Sequence, residues 1–383
     1  MASATTPPLT PFATRMSRRR WLSVAGTLAG AGLLAACSPS SAPASQPAAT
    51  PKPAAPAATT APAAAAATVA PATATPKLTK PATLTASNQV SNWFAESAHG
   101  GQFAAALNKE FDKQNLDMTT DQGGPSVSTV PLVASGKYQF GMFSADQILL
   151  ARQDGVPLVA VFAPFQIGLG GLMFHASKPL TGFPDLNGRK VYVSAAANYW
   201  QFLQKKYSLD KTELMTYNGQ LATFLADEAA VFQCYISEEP IAAAKQGVQV
   251  GYLRTADSGY NPYSNIMGTT EQMVKDKPEV VQAFVTASLA GWKAYVENPK
   301  PTLDAIKAVN KDYNVELGAE SAAIEKQLVL GPTNDPRAIG TMTAARFKDL
   351  HDQLRSVGGL KADLDYTAAF DPSFITTAQS AAA

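Results

Sequence analysis

Two hydrophobic patterns alternate along the chain after about residue 80. Residues 158–163 form a continuous apolar run, as expected of a parallel strand that is buried on both faces. Phe103, Leu107 and Phe111 recur at helical spacing and indicate an amphipathic helix. The same criteria predict further strands at 82–87, 118–120, 138–143, 189–194, 214–217, 230–236 and 248–253, with helices between them. This alternation predicts an α/β fold built on parallel sheets.

Helix-start signals reinforce the pattern. Ser144 and Gln147 are spaced as a capping box directly after the strand predicted at 138–143. Pro125 suits the first turn of a helix predicted at 126–135. From Thr270 onward the apolar positions recur mainly at helical spacing. A chain of 383 residues, 46% of them hydrophobic, is long enough for two lobes.

The first 36 residues have the pattern of an export signal. Residues 17–22 (SRRRWL) resemble a twin-arginine motif, and an apolar run with three glycines follows. The run ends in LAAC at 34–37, which resembles the bacterial lipobox and implies that Cys37 is lipidated and becomes the first mature residue. An uncleaved membrane helix is the alternative, although the run is short for a span. Either Met1 or Met16 is consistent with the start of translation.

A tether follows the predicted lipidated cysteine. Residues 38–79 consist almost entirely of Ala, Pro, Thr and Ser, with no acidic and no aromatic residue. Such a segment buries too little apolar surface to offset its ordering entropy, so a disordered linker is predicted over 37–79.

Composition excludes several classes of function. The formal net charge is +1, and removing the signal leaves 27 basic against 30 acidic residues, so no basic surface for nucleic acid is expected. With only Cys37 and Cys234 present, no disulfide framework is available. His99, His175 and His351 are isolated in the sequence, so we expect no metal site and no cofactor.

A set of short stretches stands in a fixed order along the chain: NWF at 92–94, HGG at 99–101, GGP at 123–125, FGMFSAD at 140–146, FPDLNGRKV at 183–191, SEEP at 237–240 and PEVVQAF at 278–284. In their order and spacing these stretches resemble the type II solute-binding proteins of ABC importers. The resemblance is to the branch that includes sulfonate, nitrate, thiamine-pyrimidine and riboflavin binders and the fungal pyrimidine synthases. The family fold implies two lobes, at 80–167 plus 262–383 and at 168–261, joined by a hinge around an interlobe ligand cleft.

The predicted cleft combines this layout with the rule that ligands bind beyond the carboxyl ends of strands in α/β sheets. The candidate ligand-binding residues are Trp93, His99, Gln122, Gly123, Ser126, Ser144, Gln166, Tyr199, Tyr235, Glu238 and Tyr260. Structural alternatives exist for some of them: Trp93 and His99 as packing residues, Ser144 as a helix cap, and Glu239 in place of Glu238. Cys234, in an apolar strand, is predicted to be an inert core thiol.

The expected wall of the cleft is rich in tryptophan and tyrosine and includes Glu238 and Glu239 but no arginine, which favours a planar neutral or weakly basic heterocycle. We therefore expect a monomeric, lipid-anchored receptor on the outer face of the cell membrane. It would pass a thiamine pyrimidine precursor or a riboflavin-like solute to an ABC permease, without being an enzyme. The alternatives are a sulfonate or nitrate binder, a pyrimidine-synthase-like enzyme, and a lipoprotein with no role in transport. The fungal synthases carry a cysteine-rich motif, whereas the predicted folded part here has only Cys234.

Overall fold

A computed structural model describes residues 83–381, except 125, 195–196, 218 and 361–363. The predicted signal, the lipidated Cys37 and the linker lie outside the described residues, as does Pro125. Among the residues described, no helix combines the length and the apolar character needed to cross a bilayer.

Two five-stranded mixed sheets form the framework. The first has the order β2-β1-β3-β10-β4 and the second β7-β6-β8-β5-β9. The strands are β1 Thr85–Val90, β2 Leu116–Asp121, β3 Phe140–Phe143, β4 Leu158–Phe162, β5 Gly170–His175, β6 Lys190–Val193, β7 Glu213–Thr216, β8 Ala230–Tyr235, β9 Val250–Arg254 and β10 Ile266–Thr270. The second sheet is therefore built from one continuous segment, whereas the first receives β10 only after the chain has left the second.

Helices cover the sheets. They are α1 Gly100–Leu107, α2 Glu110–Lys113, α3 Thr129–Ala134, α4 Ala145–Gln153, α5 Tyr199–Tyr207, α6 Leu221–Ala226, α7 Glu239–Lys245, α8 Glu271–Asp276, α9 Pro278–Glu297, α10 Lys300–Val309, α11 Val315–Leu330, α12 Ala344–Ser356 and α13 Ser373–Ala381. Short 3-10 turns lie at Ser97–His99, Phe183–Leu186, Thr255–Ser258, Pro336–Ala338 and Tyr366–Ala369. The predicted two-lobed α/β fold is confirmed.

The prediction of purely parallel sheets is wrong at one strand in each sheet. β10 runs antiparallel to both β3 and β4, and β5 runs antiparallel to both β8 and β9. A continuous apolar run reports that both faces of a strand are covered, and says nothing about the direction of its neighbour. Element starts also differ: β1 begins at Thr85, and α3 begins at Thr129, because Ser128 is still extended.

Close packing of α1 on α9 explains the two glycines after His99. A Cβ atom on Gly101 would lie 2.1 Å from the ring of Trp292, which is fully buried. A Cβ atom on Gly291 would lie 2.3 Å from the carbonyl oxygen of Gly101. These helices therefore touch through their backbones, and this part of the family-like HGG stretch serves packing.

One arginine ties together the two connections between the sheets. Arg346, on α12, donates from Nη1 to the carbonyl oxygen of Gln166 at 2.6 Å and from Nε to that of Asn261 at 2.8 Å. Its Nη2 donates to Asn261 Oδ1 at 3.0 Å and to the Pro262 carbonyl at 3.1 Å. The guanidinium also lies 3.8 Å from the ring centroid of Tyr263. The planar fork of arginine suits this multiple contact.

Candidate functional site

Two adjoining cavities lie between the sheets. The first, here the aromatic cavity, has a volume of about 160 Å³ and is lined by the rings of Trp93, Tyr199, Tyr217 and Tyr235 and the carboxyl groups of Glu96, Glu238 and Glu239. The second, here the hydroxyl cavity, has a volume of about 490 Å³ and is lined by hydroxyl groups that include those of Ser126, Ser128, Thr129, Ser144, Thr255 and Tyr260. Both cavities share Asn92, Trp93, Tyr199, Gln233 and Tyr235, so they form one continuous site.

The aromatic wall is assembled from both lobes. Trp93 follows β1, and its carbonyl accepts the backbone N–H of Gly123 at 2.8 Å, which fixes the loop. Its ring meets Phe94 edge to face, with centroids 5.8 Å apart. Tyr199 opens α5 in the second lobe, and its buried hydroxyl has no hydrogen-bond partner. That hydroxyl is available to a bound molecule, since a buried polar group without a partner costs free energy.

One carboxylate of the site is held firmly by the protein. Glu239 Oε1 accepts the hydroxyl of Tyr217 at 2.9 Å, and Oε2 accepts the backbone N–H of Tyr235 at 2.8 Å. Burial raises the pKa of Glu239, although these hydrogen bonds oppose the shift. Its oxygens therefore shape the wall, and they already have partners.

A second carboxyl group faces the cavity without a protein partner. Among the described residues, nothing hydrogen-bonds to the side chain of Glu96, which lines the aromatic cavity. Burial, and then repulsion from Glu238, Glu239 and Glu325, raises the pKa of Glu96 well above its ordinary value. A protonated carboxyl both donates and accepts a hydrogen bond, whereas an ionised one only accepts. When it is protonated, Glu96 can thus pair with a donor–acceptor edge of a heterocycle. When it is ionised, it can accept hydrogen bonds from N–H groups.

His99 contacts and orients Asn92, a residue that lines both cavities. Burial lowers the pKa of His99 to about 3, so the ring is neutral, and its Nε2 lies 3.1 Å from Asn92 Oδ1. Asn92 Nδ2 donates to Asn265 Oδ1 at 3.2 Å, and Asn265 Nδ2 donates to the Ala98 carbonyl at 3.1 Å. The chain of contacts orients Asn92, which lines both cavities.

A polar bridge crosses the hydroxyl cavity. The buried Asp146 accepts hydrogen bonds at Oδ2 from Asn198 Nδ2 at 3.1 Å and from Tyr260 Oη at 3.0 Å. At Oδ1 it accepts the backbone N–H of Gln147 at 3.0 Å and the hydroxyl of Ser144. Asp146 lies in the first turn of α4 of the first lobe and Asn198 precedes α5 of the second, so this carboxylate connects the lobes. The predicted capping box is confirmed, since Ser144 N donates to Gln147 Oε1 at 3.0 Å.

Seven of the eleven predicted ligand-binding residues line the cavities. They are Trp93, Ser126, Ser144, Tyr199, Tyr235, Glu238 and Tyr260. The structure therefore gathers residues that are up to 167 positions apart at one site.

Four predicted residues lie outside the cavity linings and have structural partners instead. His99 orients Asn92, as described above. Gln122 Oε1 accepts the backbone N–H of Ala95 at 2.9 Å. A Cβ atom on Gly123 would lie 2.2 Å from the carbonyl oxygen of Ser91, so this glycine permits a close backbone approach. Gln166 donates to the carbonyls of Ala163 and Thr341 at 3.0 and 3.2 Å, within the connection between lobes.

Sequence reasoning missed several lining residues. The missed side chains include Asn92, Glu96, Tyr217, Gln233, Cys234, Thr255 and Asn265, and Glu239 was considered only as a substitute for Glu238. Asn92 directly precedes Trp93 in the NWF stretch, so that neighbourhood was a usable signal. Gln233 was detectable as a polar residue inside the apolar strand β8, and its Oε1 accepts the backbone N–H of Ser194 at 2.6 Å.

The sequence of this chain matches a family model and two named relatives. The sequence profile of the NMT1/THI5-like family matches residues 96–302, more than half of the chain. The riboflavin-binding protein RibY of Chloroflexus aurantiacus is 24% identical over 62% of this chain and 70% of its own length. The formylaminopyrimidine-binding protein of Halalkalibacterium halodurans is 24% identical over 64% of this chain and 77% of its own.

Solved structures share the fold at low sequence identity. The periplasmic aliphatic sulphonate-binding protein SsuA of Escherichia coli superposes with a TM-score of 0.61 and 12% identity, over 75% of this chain and 92% of its own. The desulfurization enzyme DSZB superposes with a TM-score of 0.56 and 12% identity, over 78% of this chain and all of its own. The fold thus accommodates both binding proteins and an enzyme. The predicted resemblance is confirmed, and the chain belongs to the NMT1/THI5-like family, with the fold of the type II solute-binding proteins of ABC importers.

Proposed function

We propose that this protein is the solute-binding component of an ABC importer and that its solute is a planar heterocycle of the riboflavin or thiamine-pyrimidine-precursor type. One observation carries the proposal: a single cavity combines four aromatic rings with three carboxyl groups. Among the described residues that line the two cavities there is no lysine, arginine or histidine.

The chemistry of the walls matches a nitrogen heterocycle. Aromatic faces such as those of Trp93 and Tyr235 stack on planar rings. The carboxyl group of Glu96, which has no hydrogen-bond partner among the described residues, suits the N–H and carbonyl groups at the edge of such a ring. The names of the two relatives, a riboflavin binder and a formylaminopyrimidine binder, support the same class of solute.

The volume of the site favours the larger of these solutes. The aromatic cavity of about 160 Å³ opens into the hydroxyl cavity of about 490 Å³, and small-molecule sites typically span about 300–1,000 Å³. Hydroxyl groups suit a solute that extends a polar, hydroxylated chain away from its ring. A bare pyrimidine would leave the second cavity unused, so we propose riboflavin as the first solute to test.

Sulfonate or nitrate is the alternative within the same fold, as the SsuA superposition illustrates. An oxyanion placed in the aromatic cavity would meet Glu96, Glu238 and Glu239 without a facing cation. Repulsion of this kind disfavours the anion. We therefore rank the heterocycle above the oxyanion.

The test is ligand release and rebinding. Purified protein is denatured, the released solute is identified by mass spectrometry, and the refolded protein is titrated with riboflavin, a thiamine pyrimidine precursor, methanesulfonate and nitrate. At about 100 times the dissociation constant, a true solute stabilises the fold by about 2.7 kcal/mol. A thermal shift with an oxyanion alone would overturn the proposal. We also propose that the protein is not an enzyme, so the recovered heterocycle should have an unchanged mass.

We further propose that the protein is a monomer, exported and anchored by a lipid on Cys37. The support is the LAAC stretch at 34–37 and the long Ala/Pro/Thr segment behind it. Lipid attachment requires the thiol, so Cys37→Ala should move the protein from the membrane fraction to the soluble fraction. A variant that still sediments with membranes after a salt wash would contradict the anchor.

The lobe boundaries follow as a proposal from the two sheets. We place one lobe at 80–167 plus 262–383 and the other at 168–261, with the hinge in the connections that Arg346 holds. Closure around the solute would then be a rotation about these connections.

A further inference from the structure

Three side chains from separate parts of the chain meet beside the aromatic cavity. Ser97 lies in the 3-10 turn before α1, Glu238 directly precedes α7, and Glu325 lies within α11. Ser97 Oγ is 2.6 Å from Glu238 Oε1 and 2.7 Å from Glu325 Oε1. Glu325 is fully buried. One hydroxyl group therefore stands at hydrogen-bond distance from two carboxyl groups.

Counting protons determines the charge of this group. A serine hydroxyl carries one proton, so Ser97 can donate to only one of the two carboxyl oxygens. The second contact is a hydrogen bond only if that carboxyl group is protonated and donates to Ser97 Oγ. The geometry thus requires one proton to be shared between Glu238 and Glu325, as in other carboxyl pairs held at one site.

Burial favours holding that proton, whereas two further hydrogen bonds donated to Glu325 oppose it. Ser237 Oγ donates to Glu325 Oε1 at 3.1 Å and Tyr295 Oη to Oε2 at 3.4 Å. Burial, the largest cause, raises the pKa of Glu325 to about 7, and burial with repulsion from Glu325 raises the pKa of Glu238 well above its ordinary value. The titratable groups that face the pair are Glu96 before the 3-10 turn, Glu239 on α7, Tyr295 on α9 and Tyr313 before α11.

The charge that these neighbours supply is negative. Burial and the carboxyl groups raise the pKa of Tyr295 and Tyr313, so both tyrosines stay neutral near pH 7. Lys245 of α7 and Glu320 of α11 form an ion pair of 2.6 Å, and both side chains are exposed at the surface. Among the described residues, no cation opposes the raised pKa values of Glu238 and Glu325.

The three side chains connect the two lobes. Ser97 follows β1 of the first sheet, whereas Glu238 follows β8 of the second sheet and lines the aromatic cavity. We propose that Ser97, Glu238 and Glu325 form a one-proton clasp, so that closing the lobes takes up a proton and opening them releases it. The clasp stands on its own geometry, and only its effect on solute affinity rests on the proposed function.

The sign of the pH dependence follows from linkage. We take the carboxyl groups to be hydrated in the open form, with an ordinary pKa of 4.5, whereas in the closed form the shared proton is held up to about pH 7. Between these values the closed form binds more protons than the open form. Closure is therefore most favourable below about pH 4.5 and weakens as the pH rises to about 7. The ratio of closed to open protein falls by up to about tenfold per pH unit in this window.

The test measures interlobe distance without any solute. A donor and an acceptor fluorophore are attached at Lys109→Cys and Lys211→Cys, two exposed positions, in the full chain. Cys37→Ser removes one competing thiol, and the other, Cys234, is buried. We expect energy transfer to fall between pH 5 and pH 8. In the Glu325→Gln variant the amide N–H donates to Ser97 at every pH. Energy transfer should therefore stay high, and the closed-to-open ratio should change less than twofold between pH 5 and pH 8.

The matched control is Glu320→Gln on the same helix, which removes an exposed carboxylate and should keep the wild-type pH response. Circular dichroism verifies that each variant is folded, and Glu238→Gln repeats the test from the other side of the clasp. A pH-independent wild type, or a Glu325→Gln variant with the wild-type response, would overturn the clasp. Riboflavin titrations at pH 5 and pH 8 are a separate arm: failure to bind at both counts against the proposed solute and leaves the clasp standing.

Discussion

The hinge arginine gives the sharpest stability prediction. Arg346→Lys keeps the charge but removes the fork that reaches the carbonyls of Gln166, Asn261 and Pro262. A lysine has a single nitrogen, which can replace only one of the three guanidinium nitrogens. None of these makes more than two of the four hydrogen bonds, so at least two charge-assisted hydrogen bonds are lost. Hydrogen bonds to charged groups contribute about 1.5–3 kcal/mol each. These carbonyls belong to half-buried residues that water can partly reach, so we take the lower figure and expect a loss of about 3 kcal/mol.

Calorimetry of the solute-free protein measures this loss. With an unfolding entropy of about 2.1 cal/mol/K per residue, a folded part of about 300 residues should lose about 5 °C in Tm. The matched control is Arg337→Lys, since Arg337 is an exposed arginine that pairs with Asp335 at 2.7 Å. An ion pair this exposed contributes little to stability, so the Tm of this variant should move much less than that of Arg346→Lys. Equal shifts in the two variants would refute the idea that Arg346 stabilises the hinge.

Three further predictions concern packing and the site. Gly101→Ala places a methyl group against Trp292 and should cost at least about 1–3 kcal/mol, measured by urea unfolding; unchanged stability would contradict the close helix contact. Trp93→Ala should remove most of the riboflavin-induced thermal shift while the neighbouring exposed Phe94→Ala retains it, and equal losses would argue against stacking on Trp93. Burial raises the pKa of the Cys234 thiol, so a thiol reagent at pH 8 should modify it only after unfolding, and rapid labelling of the native protein would exclude an inert core thiol.

Local patterns predicted the elements better than their arrangement. The strand at 158–163 was recognisable because an apolar run reports burial, and Ser144 with Gln147 marked the start of α4. The antiparallel placement of β10 depends on a contact between residues more than a hundred positions apart, and no local period encodes it. For the same reason the sequence pattern predicts no strand over Ile266–Thr270 and places Thr270 at the start of the helical region.

The site was predictable where the type of a side chain and its position in the sequence indicated a role. Trp93 and Tyr199 stood out as aromatics beside a turn and a helix start, and both line the cavities. His99 misled because a histidine near a glycine pair suggests a ligand contact, whereas it is fully buried and touches Asn92. Glu325 could not be connected with the cleft at all, because α11 brings it to Ser97 from 228 positions away.

The antiparallel insertion of β10 has a consequence for how the protein can be made and divided. In the first sheet β10 is the only described strand that pairs with β4, and Ala160 of β4 also forms an isolated bridge to Phe370. Both partners come later in the chain, so β4 remains unpaired until synthesis has passed through the whole second lobe. The segment from β5 to β9 contains every strand of its own sheet and can assemble earlier. A single cut within the second lobe therefore produces no fragment with a complete first sheet. A circular permutant that begins at residue 262 and joins the old termini would instead bring β10 ahead of its partners β3 and β4.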